Sequence, residues 1–209
     1  MKHEWRKKEK GIYLPKNKPM LIEVPSYTFL TITGAGNPNS PHFADYIGVL
    51  YSLSYAIKMS PKKMDLPPIG YYDYTVYPLE GVWDITEEAK KTFDGRINKE
   101  DLVFQLMIRQ PDFLEQSFFE EMLALTKKKK PHPLLEQVQL EEITEGPCIQ
   151  MLHIGPYEEE DKSFAVMEAF AKDQQRTRVS KIHREIYLSD FRRVAPEKLK
   201  TVLRFSIHS

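Results

Sequence analysis

The chain has 209 residues, of which 41% are hydrophobic, and this is enough to bury a substantial core within a single domain. Its 30 basic residues balance 30 acidic ones, so no overall field favours nucleic acid or an anionic membrane as a partner. A single cysteine excludes an internal disulfide and a multi-cysteine metal site. No apolar run approaches the ~20 residues of a membrane span, and the basic N-terminus has no signal-peptide core. We therefore expect a soluble, cytoplasmic protein.

The N-terminal residues 1–19 are basic and broken by prolines, which is typical of an arm rather than of a core element. Trp5 and Tyr13 could pack this arm against the body or let it act as a lid. The next segment is rich in β-branched and aromatic residues and predicts a strand over 26–33, followed by the loop GAGNPN. This loop is not a dinucleotide fingerprint, because it has no third glycine and Pro38 occupies the place where the helix would begin.

Helical spacing of apolar residues predicts an amphipathic helix over 41–59. The aromatic run 69–84 predicts a strand interrupted at Pro78, with 101–110 as its antiparallel partner. An insertion over about 111–135 carries a helix at 111–127. The four lysines that follow are interpreted as the solvated end of this helix rather than a nucleic-acid patch, because no aromatic residues interleave with them.

The second half of the chain repeats the first. Strands at 136–143 and 148–154 are predicted to form a hairpin through TEGP, followed by a helix at 159–174 and strands at 181–188 and 200–207. Two strand-helix-strand-strand repeats, over about 20–110 and 136–209, indicate a duplicated α+β fold.

The strand KIHREIYLSD contains the principal candidate for chemistry. Alternation places His183, Glu185 and Tyr187 on one face and Arg184 and Ile186 on the other. If the first face lines a cavity, Glu185 is a functional carboxylate, although glutamates within strands usually face solvent. We expect no metal, because His153 and His183 have no third ligand near them in the sequence, and no cofactor, because no motif for one is present.

Several short motifs occur in a telling order: PLEGVW (78–83), HIGPY (153–157), HREIYLSD (183–190) and KLKTVLRFSIH (198–208). Together they resemble the DNA gyrase inhibitor-like (GyrI-like) small-molecule-binding domain, in its stand-alone bacterial branch. The resemblance implies a pseudo-twofold fold in which each repeat is a curved antiparallel sheet backed by helices, with a ligand groove between the repeats. It also implies a bulky aromatic or cationic small molecule as ligand. No nucleic acid is expected as a partner, since the chain carries no helix-turn-helix segment. A protein partner is not expected either.

Some stand-alone members of this family are reported to hydrolyse the cyclopropane of DNA-alkylating cyclopropanoid compounds. The resemblance therefore implies a cofactor-independent hydrolase in which Glu185 activates water. Hydrolysis of such compounds would protect the cell. A donor is needed at the substrate carbonyl, and Tyr71 stands slightly ahead of the other candidates. The further candidate donor and ligand-binding residues are Tyr157, Tyr187, His153, Trp83, Phe43, Met107, Met151 and Glu80. For Glu80, a role in holding a turn is as plausible as a substrate contact.

Two alternatives remain open. A carboxylate ringed by aromatic side chains also suits a multidrug-binding protein that sequesters lipophilic cations without turnover. The chain could instead be an interaction protein of the gyrase-inhibitor type, for which the acidic stretches EEED (158–161) and LEEITE (140–145) give weak support.

Overall fold

The computed structural model describes residues 2–208 and shows a mixed α+β fold of seven strands and six α-helices over this range. In chain order these are α1 (Trp5–Lys8), α2 (Lys10–Tyr13), β1 (Met20–Ala35), α3 (Pro41–Met59), β2 (Leu79–Ile85), α4 (Glu87–Lys91), β3 (Leu102–Arg109), α5 (Gln116–Lys129), β4 (Gln139–Ile154), α6 (Glu160–Asp173), β5 (Thr177–Arg178), β6 (His183–Tyr187) and β7 (Lys200–His208). Short 3-10 turns occupy Pro61–Lys63, Lys99–Asp101, Pro133–Gln137, Tyr157–Glu159 and Pro196–Lys198.

The duplicated order of elements is confirmed, because β1, α3, β2 and β3 are followed by β4, α6, β6 and β7 in the same sequence. The helix predicted at 41–59 has the predicted bounds, and α6 differs from its prediction by one residue at each end. The insertion helix forms as α5, with Lys127, Lys128 and Lys129 in its last turn.

The predicted hairpin through TEGP is wrong. Residues Gln139–Ile154 form one continuous strand, β4. Gly146 has a φ of 67°, a conformation that glycine adopts without steric cost. The chain therefore deviates locally at Gly146 and Pro147 and then continues, instead of reversing.

The aromatic segment before β2 also differs from its prediction. Regular strand structure begins only at Leu79, and within the preceding residues Tyr74 forms an isolated bridge with His3. Pro78 lacks a backbone N–H donor and lies directly before Leu79, which is consistent with a strand that begins only there.

The chain divides into two compact units. Unit 1 contains Tyr27–Leu79 and Ile85–Ile143 with the residues that precede Trp5. In it β1 pairs antiparallel with β3, in a register that places Leu30 opposite Ile108. Helix α3 packs against both β3 and α5. The resulting core is apolar and includes Leu30, Ile32, Leu50, Leu53, Ile57, Leu106 and Met122.

Unit 2 contains Trp5–Ser26, Glu80–Asp84 and the chain from Thr144 onward. Its antiparallel strands run in the order β2, β6, β7, β4, and β5 pairs with the end of β7. Helix α6 covers one face of this sheet, where a core forms from Ile149, Met151, Met167, Ala171, Leu203, Phe205 and Ile207. The segment Glu80–Asp84 comes from the first sequence repeat but belongs to unit 2, where it pairs with β6.

The N-terminal arm packs on unit 2. Trp5 and Tyr13 are almost completely buried, with ring centroids 5.2 Å apart. The Gln150 side chain donates a hydrogen bond to the carbonyl of Gly11, and the Arg204 guanidinium donates one to that of Ile12. Within unit 2 the arm therefore has a packing role.

Candidate functional site

The candidate site is built on the central residues of β6. Glu185 lies opposite Gly81 of β2 and Leu203 of β7, and residues directly opposite one another share a face of the sheet. Leu203 belongs to the core under α6, so Glu185 is on the helix-covered face. Gly81 contributes no side chain beside it. The Glu185 side chain is only 11% exposed, unlike most glutamates within strands, which face solvent.

Glu185 accepts hydrogen bonds from neighbours of three kinds. The Nε2 atom of His183 lies 3.1 Å from its Oε1 atom. The hydroxyl of Tyr187 and the carboxyl group of Glu160 are its other partners. Within residues 2–208, His183 is the only basic side chain within ion-pair distance of Glu185. A carboxylate offers about four acceptor positions, so one remains for water or a ligand.

The alternation predicted from sequence is confirmed by these contacts, and β2 extends them. The indole Nε1 of Trp83 donates a 2.8 Å hydrogen bond to the Tyr187 hydroxyl, which leaves the phenol proton for Glu185. Burial and the Glu185 charge raise the pKa of Tyr187 well above its usual value, so the phenol remains protonated and acts as a donor.

Glu160 is the member of the site that sequence reasoning missed. It begins α6 and is buried, and its Oε1 atom has no hydrogen-bond partner among the described residues. Burial, followed by the charge of Glu185 and the hydrogen bond to it, raises the pKa of the Glu160 carboxyl well above its usual range. Two adjacent buried carboxyl groups cannot both ionise cheaply, and the pair therefore holds one proton, mainly on Glu160.

The loop before α6 fixes where Glu160 lies. Gly155 has a φ of 142°, which side-chain-bearing residues rarely adopt. His153 stabilises this turn, since its Nδ1 lies 2.9 Å from the Ser163 hydroxyl and its Nε2 lies 3.1 Å from the Pro156 carbonyl. Both ring nitrogens are thus occupied by partners in the loop and helix. His153 supports the site by holding the start of α6, and it is not a free donor.

Aromatic rings surround the carboxyl pair. Tyr157 meets Tyr187 edge to face at 6.0 Å between centroids, and Phe164 meets His183 at 4.7 Å. Burial, with the charge of Glu185 as the next cause, raises the pKa of Tyr157 above its usual value, so this phenol also stays protonated. Trp83, Tyr157 and Tyr187, predicted separately from the two halves of the sequence, are therefore brought to one cluster with Glu185.

Glu80 lies on the other face of the same sheet. Its Oε2 accepts a 2.8 Å hydrogen bond from Arg184, and Arg184 also pairs with Glu145, at 3.0 Å. Arg204 completes the group through a 2.6 Å contact with Glu145. Glu80 is 1% exposed, lies within β2 rather than in a turn, and belongs to this buried ion-pair network; a contact between Glu80 and substrate stays a prediction.

The candidate Met151 and the single cysteine are both buried within unit 2. Met151 is a member of the core under α6. Cys148 is fully buried, and burial with the nearby Glu145 charge raises the pKa of its thiol to about 11, so it is not a nucleophile at neutral pH. Across residues 2–208, no three His, Cys, Asp or Glu side chains are grouped so as to hold a metal ion. None of the helices in the same range is both long and apolar enough to cross a bilayer.

The remaining candidates belong to unit 1. Phe43 packs edge to face on Phe104 at 5.1 Å, and Met107 is fully buried within β3. Tyr71 lies in the irregular segment before β2, with its ring 5.3 Å from that of Phe113. Tyr71 does not lie in a strand, because β2 begins only at Leu79.

Comparison with known proteins places this geometry in a family. The model of the GyrI-like small molecule binding domain matches residues 17–208, and the chain therefore belongs to that family. A crystal structure of a hydrolase from Listeria innocua is 36% identical, covers 100% of both chains and superposes with a TM-score of 0.89. A second hydrolase structure from the same organism is 34% identical over 99% of this chain and 100% of the other, with a TM-score of 0.88.

More distant structures share only the fold. The C-terminal domain of EcmrR is 11% identical, with a TM-score of 0.55 over 92% of this chain and 98% of that domain. No functionally curated protein matches the chain. The comparisons thus establish a small-molecule-binding fold, with relatives described as hydrolases.

Proposed function

We propose that the protein is a cofactor-independent hydrolase of electrophilic aromatic small molecules, of the cyclopropanoid class, in which Glu185 activates water. The proposal rests on the surroundings of the Glu185 side chain. Glu185 is a largely buried carboxylate that faces three hydrogen-bonding neighbours and aromatic rings, and among the described residues no lysine or arginine pairs with it. The hydrolase descriptions of the two Listeria proteins support the reaction class.

The site can perform the reaction with its own groups. Glu185 takes a proton from water while the water oxygen bonds to a methylene carbon of the cyclopropane. The strained carbon–carbon bond breaks, and its electron pair moves through the conjugated ring to the carbonyl oxygen, which becomes a phenolate. A donor then supplies a proton to that oxygen, and the net change is the addition of one water.

The candidate proton donors differ in whether their hydroxyl groups already have hydrogen-bond partners. The Tyr187 hydroxyl is used by Trp83 and Glu185, so Tyr187 orients the base. Tyr157 is the phenol to test first as the donor, because it lies in the same cluster and remains protonated. Tyr71 stays the candidate suggested by the sequence. Glu160 holds a proton beside Glu185, so only one of these two carboxyl groups is charged.

The deciding experiment is turnover of a spirocyclopropyl alkylating agent, followed by mass spectrometry over several equivalents of substrate per protein. We expect a product heavier by one water from the wild type, at least a hundredfold less from Glu185→Gln, and wild-type amounts from Glu136→Gln, which changes an exposed carboxylate of unit 1. Undiminished turnover by Glu185→Gln would exclude Glu185 as the base.

A second function is favoured by the same carboxylate. A carboxylate with aromatic neighbours and, within residues 2–208, no lysine or arginine partner suits a planar lipophilic cation, through charge pairing and cation–π contact. Retention of a cationic dye such as ethidium, lost in Glu185→Gln, combined with unchanged recovery of the cyclopropanoid compound, would establish binding without turnover.

A further inference from the structure

Unit 2 contains a cavity that includes none of the residues of the Glu185 cluster. Its volume is about 410 Å³, within the range of roughly 300–1,000 Å³ typical of small-molecule sites. Its walls come from the N-terminal arm, β4 and the segment that joins β6 to β7. The lining residues are Arg6, Leu14, Pro15, Leu152, Leu188, Ser189, Val194, Lys198 and Lys200.

The strand register places this cavity on the opposite face of the sheet from Glu185. Leu152 lies opposite Val202, two positions from the pair formed by Gln150 and Arg204, so it shares their face. That face is the one on which Gln150 and Arg204 hold the arm. Leu188 follows Tyr187 directly and points to the same side as Leu152 by alternation.

The charged groups of the cavity have one sign. Among the lining residues that the structure describes, only Arg6, Lys198 and Lys200 are ionisable, and none is a carboxylate. Within residues 2–208, none of the three forms an ion pair. The Arg6 guanidinium instead stacks on the Trp5 ring at 4.3 Å. Cations gathered without carboxylate partners repel one another, and an anion that enters the cavity relieves this repulsion.

The rest of the lining is mainly apolar, formed by the side chains of Leu14, Pro15, Leu152, Leu188 and Val194. The Ser189 hydroxyl already accepts a 3.1 Å hydrogen bond from the backbone of Lys200, and it thereby ties the two ends of the β6–β7 connection together. An apolar floor with a cationic rim matches a ligand that has a hydrocarbon or aromatic body and an anionic head.

We propose that this cavity is a second small-molecule site, which binds an amphiphilic anion such as a carboxylate or sulfonate with an apolar body. The site is independent of the Glu185 cluster, whose own charge is negative and which would repel such a ligand. One chain would therefore take ligands of opposite electrostatic character on the two faces of the unit 2 sheet.

The test is calorimetric titration of the intact protein with octanoate. We expect saturable binding to the wild type, weakened about tenfold in the Lys198→Gln/Lys200→Gln double variant, which corresponds to about 1.4 kcal/mol. The control is Lys128→Gln/Lys129→Gln, which removes two exposed charges at the end of α5 and should bind as the wild type does. Because both pairs are surface residues, both variants should fold.

Further measurements separate the electrostatic contribution to octanoate binding from the contribution of this particular site. Replacing octanoate by 1-octanol should abolish most of the binding, and raising the salt concentration should weaken that of octanoate. Glu185→Gln should bind octanoate with wild-type affinity. Equal affinities of the two lysine double variants, or equal binding of octanol and octanoate, would overturn the proposal, and neither result would bear on turnover at Glu185.

Discussion

The two faces of strand β6 carry two buried polar groups of opposite design. On one face Arg184 joins Glu80, Glu145 and Arg204, so two guanidinium groups meet two carboxylates and the charges balance. On the other face Glu185 meets Glu160, and within residues 2–208 its only basic neighbour is His183. Arg184 and Glu185 are consecutive residues. One belongs to an ion-pair network in which the charges cancel, and the other belongs to a cluster in which they do not.

The difference supports a structural role for the network around Arg184 and the function proposed above for the Glu185 cluster. A network whose charges are paired internally has little left to offer a ligand and serves to hold β2, β4, β6 and β7 together. The Glu185 cluster has a shared proton, a spare acceptor position and aromatic neighbours. It can therefore still form hydrogen bonds and charge interactions with a ligand. Burial alone does not separate these roles, since Glu80 and Glu160 are both buried.

The largest expected effect comes from breaking the balanced network. Arg184→Leu leaves Glu80 and Glu145 buried without one of their guanidinium partners, and the free energy of unfolding should fall by about 3–5 kcal/mol. Urea denaturation measures this loss. Arg192→Leu, which removes an exposed arginine paired with Asp190, should cost less than about 1 kcal/mol. Similar losses in the two variants would contradict the structural role assigned to the network.

The next effect concerns the shared proton. The pKa of Glu160 is raised in the folded state above its unfolded value of about 4.3. Its contribution to stability is therefore fully present below that pH and is lost as pH rises through the folded pKa. Glu160→Gln removes this loss, so we expect the variant to gain at least about 1 kcal/mol relative to the wild type between pH 4.5 and pH 8.

Urea denaturation at a series of pH values measures that gain. Glu159→Gln is the matched control. Glu159 is next to Glu160 in the sequence, but its carboxylate is half-exposed and pairs with Lys162 on the surface. A difference between Glu160→Gln and the wild type that does not change with pH would show that Glu160 does not hold the proton.

The smallest effect tests the hydrogen bonds that orient the base. Tyr187→Phe removes the acceptor of the Trp83 indole and a donor to Glu185, and it should lower the free energy of unfolding by about 1 kcal/mol. Tyr55→Phe, at a position 52% exposed, should be neutral. Loss of turnover in Tyr187→Phe larger than its loss of stability would support a positioning role. A variant with wild-type stability and wild-type turnover would exclude one.

Several parts of the fold followed from local patterns. The helix at 41–59 and the alternation of His183, Glu185 and Tyr187 were predictable, because 3.6-residue and two-residue periodicities are properties of the chain alone. The hairpin through TEGP was not, since Gly146 and Pro147 are compatible with either a reversal or a local bend, and the strand partners decide between the two.

The site shows the same division. Strand geometry requires that the carboxylate, the imidazole and the phenol of HREIY share one face of β6, so this part of the site could be predicted from the sequence. The long-range packing of the chain selects Glu160, among the consecutive acidic residues 158–161, as the one that contacts Glu185, and it pairs Glu80 with Arg184. Those four acidic residues are nearly equivalent in the sequence. Burial distinguishes them, and it depends on how α6 lies on strands that are distant along the chain.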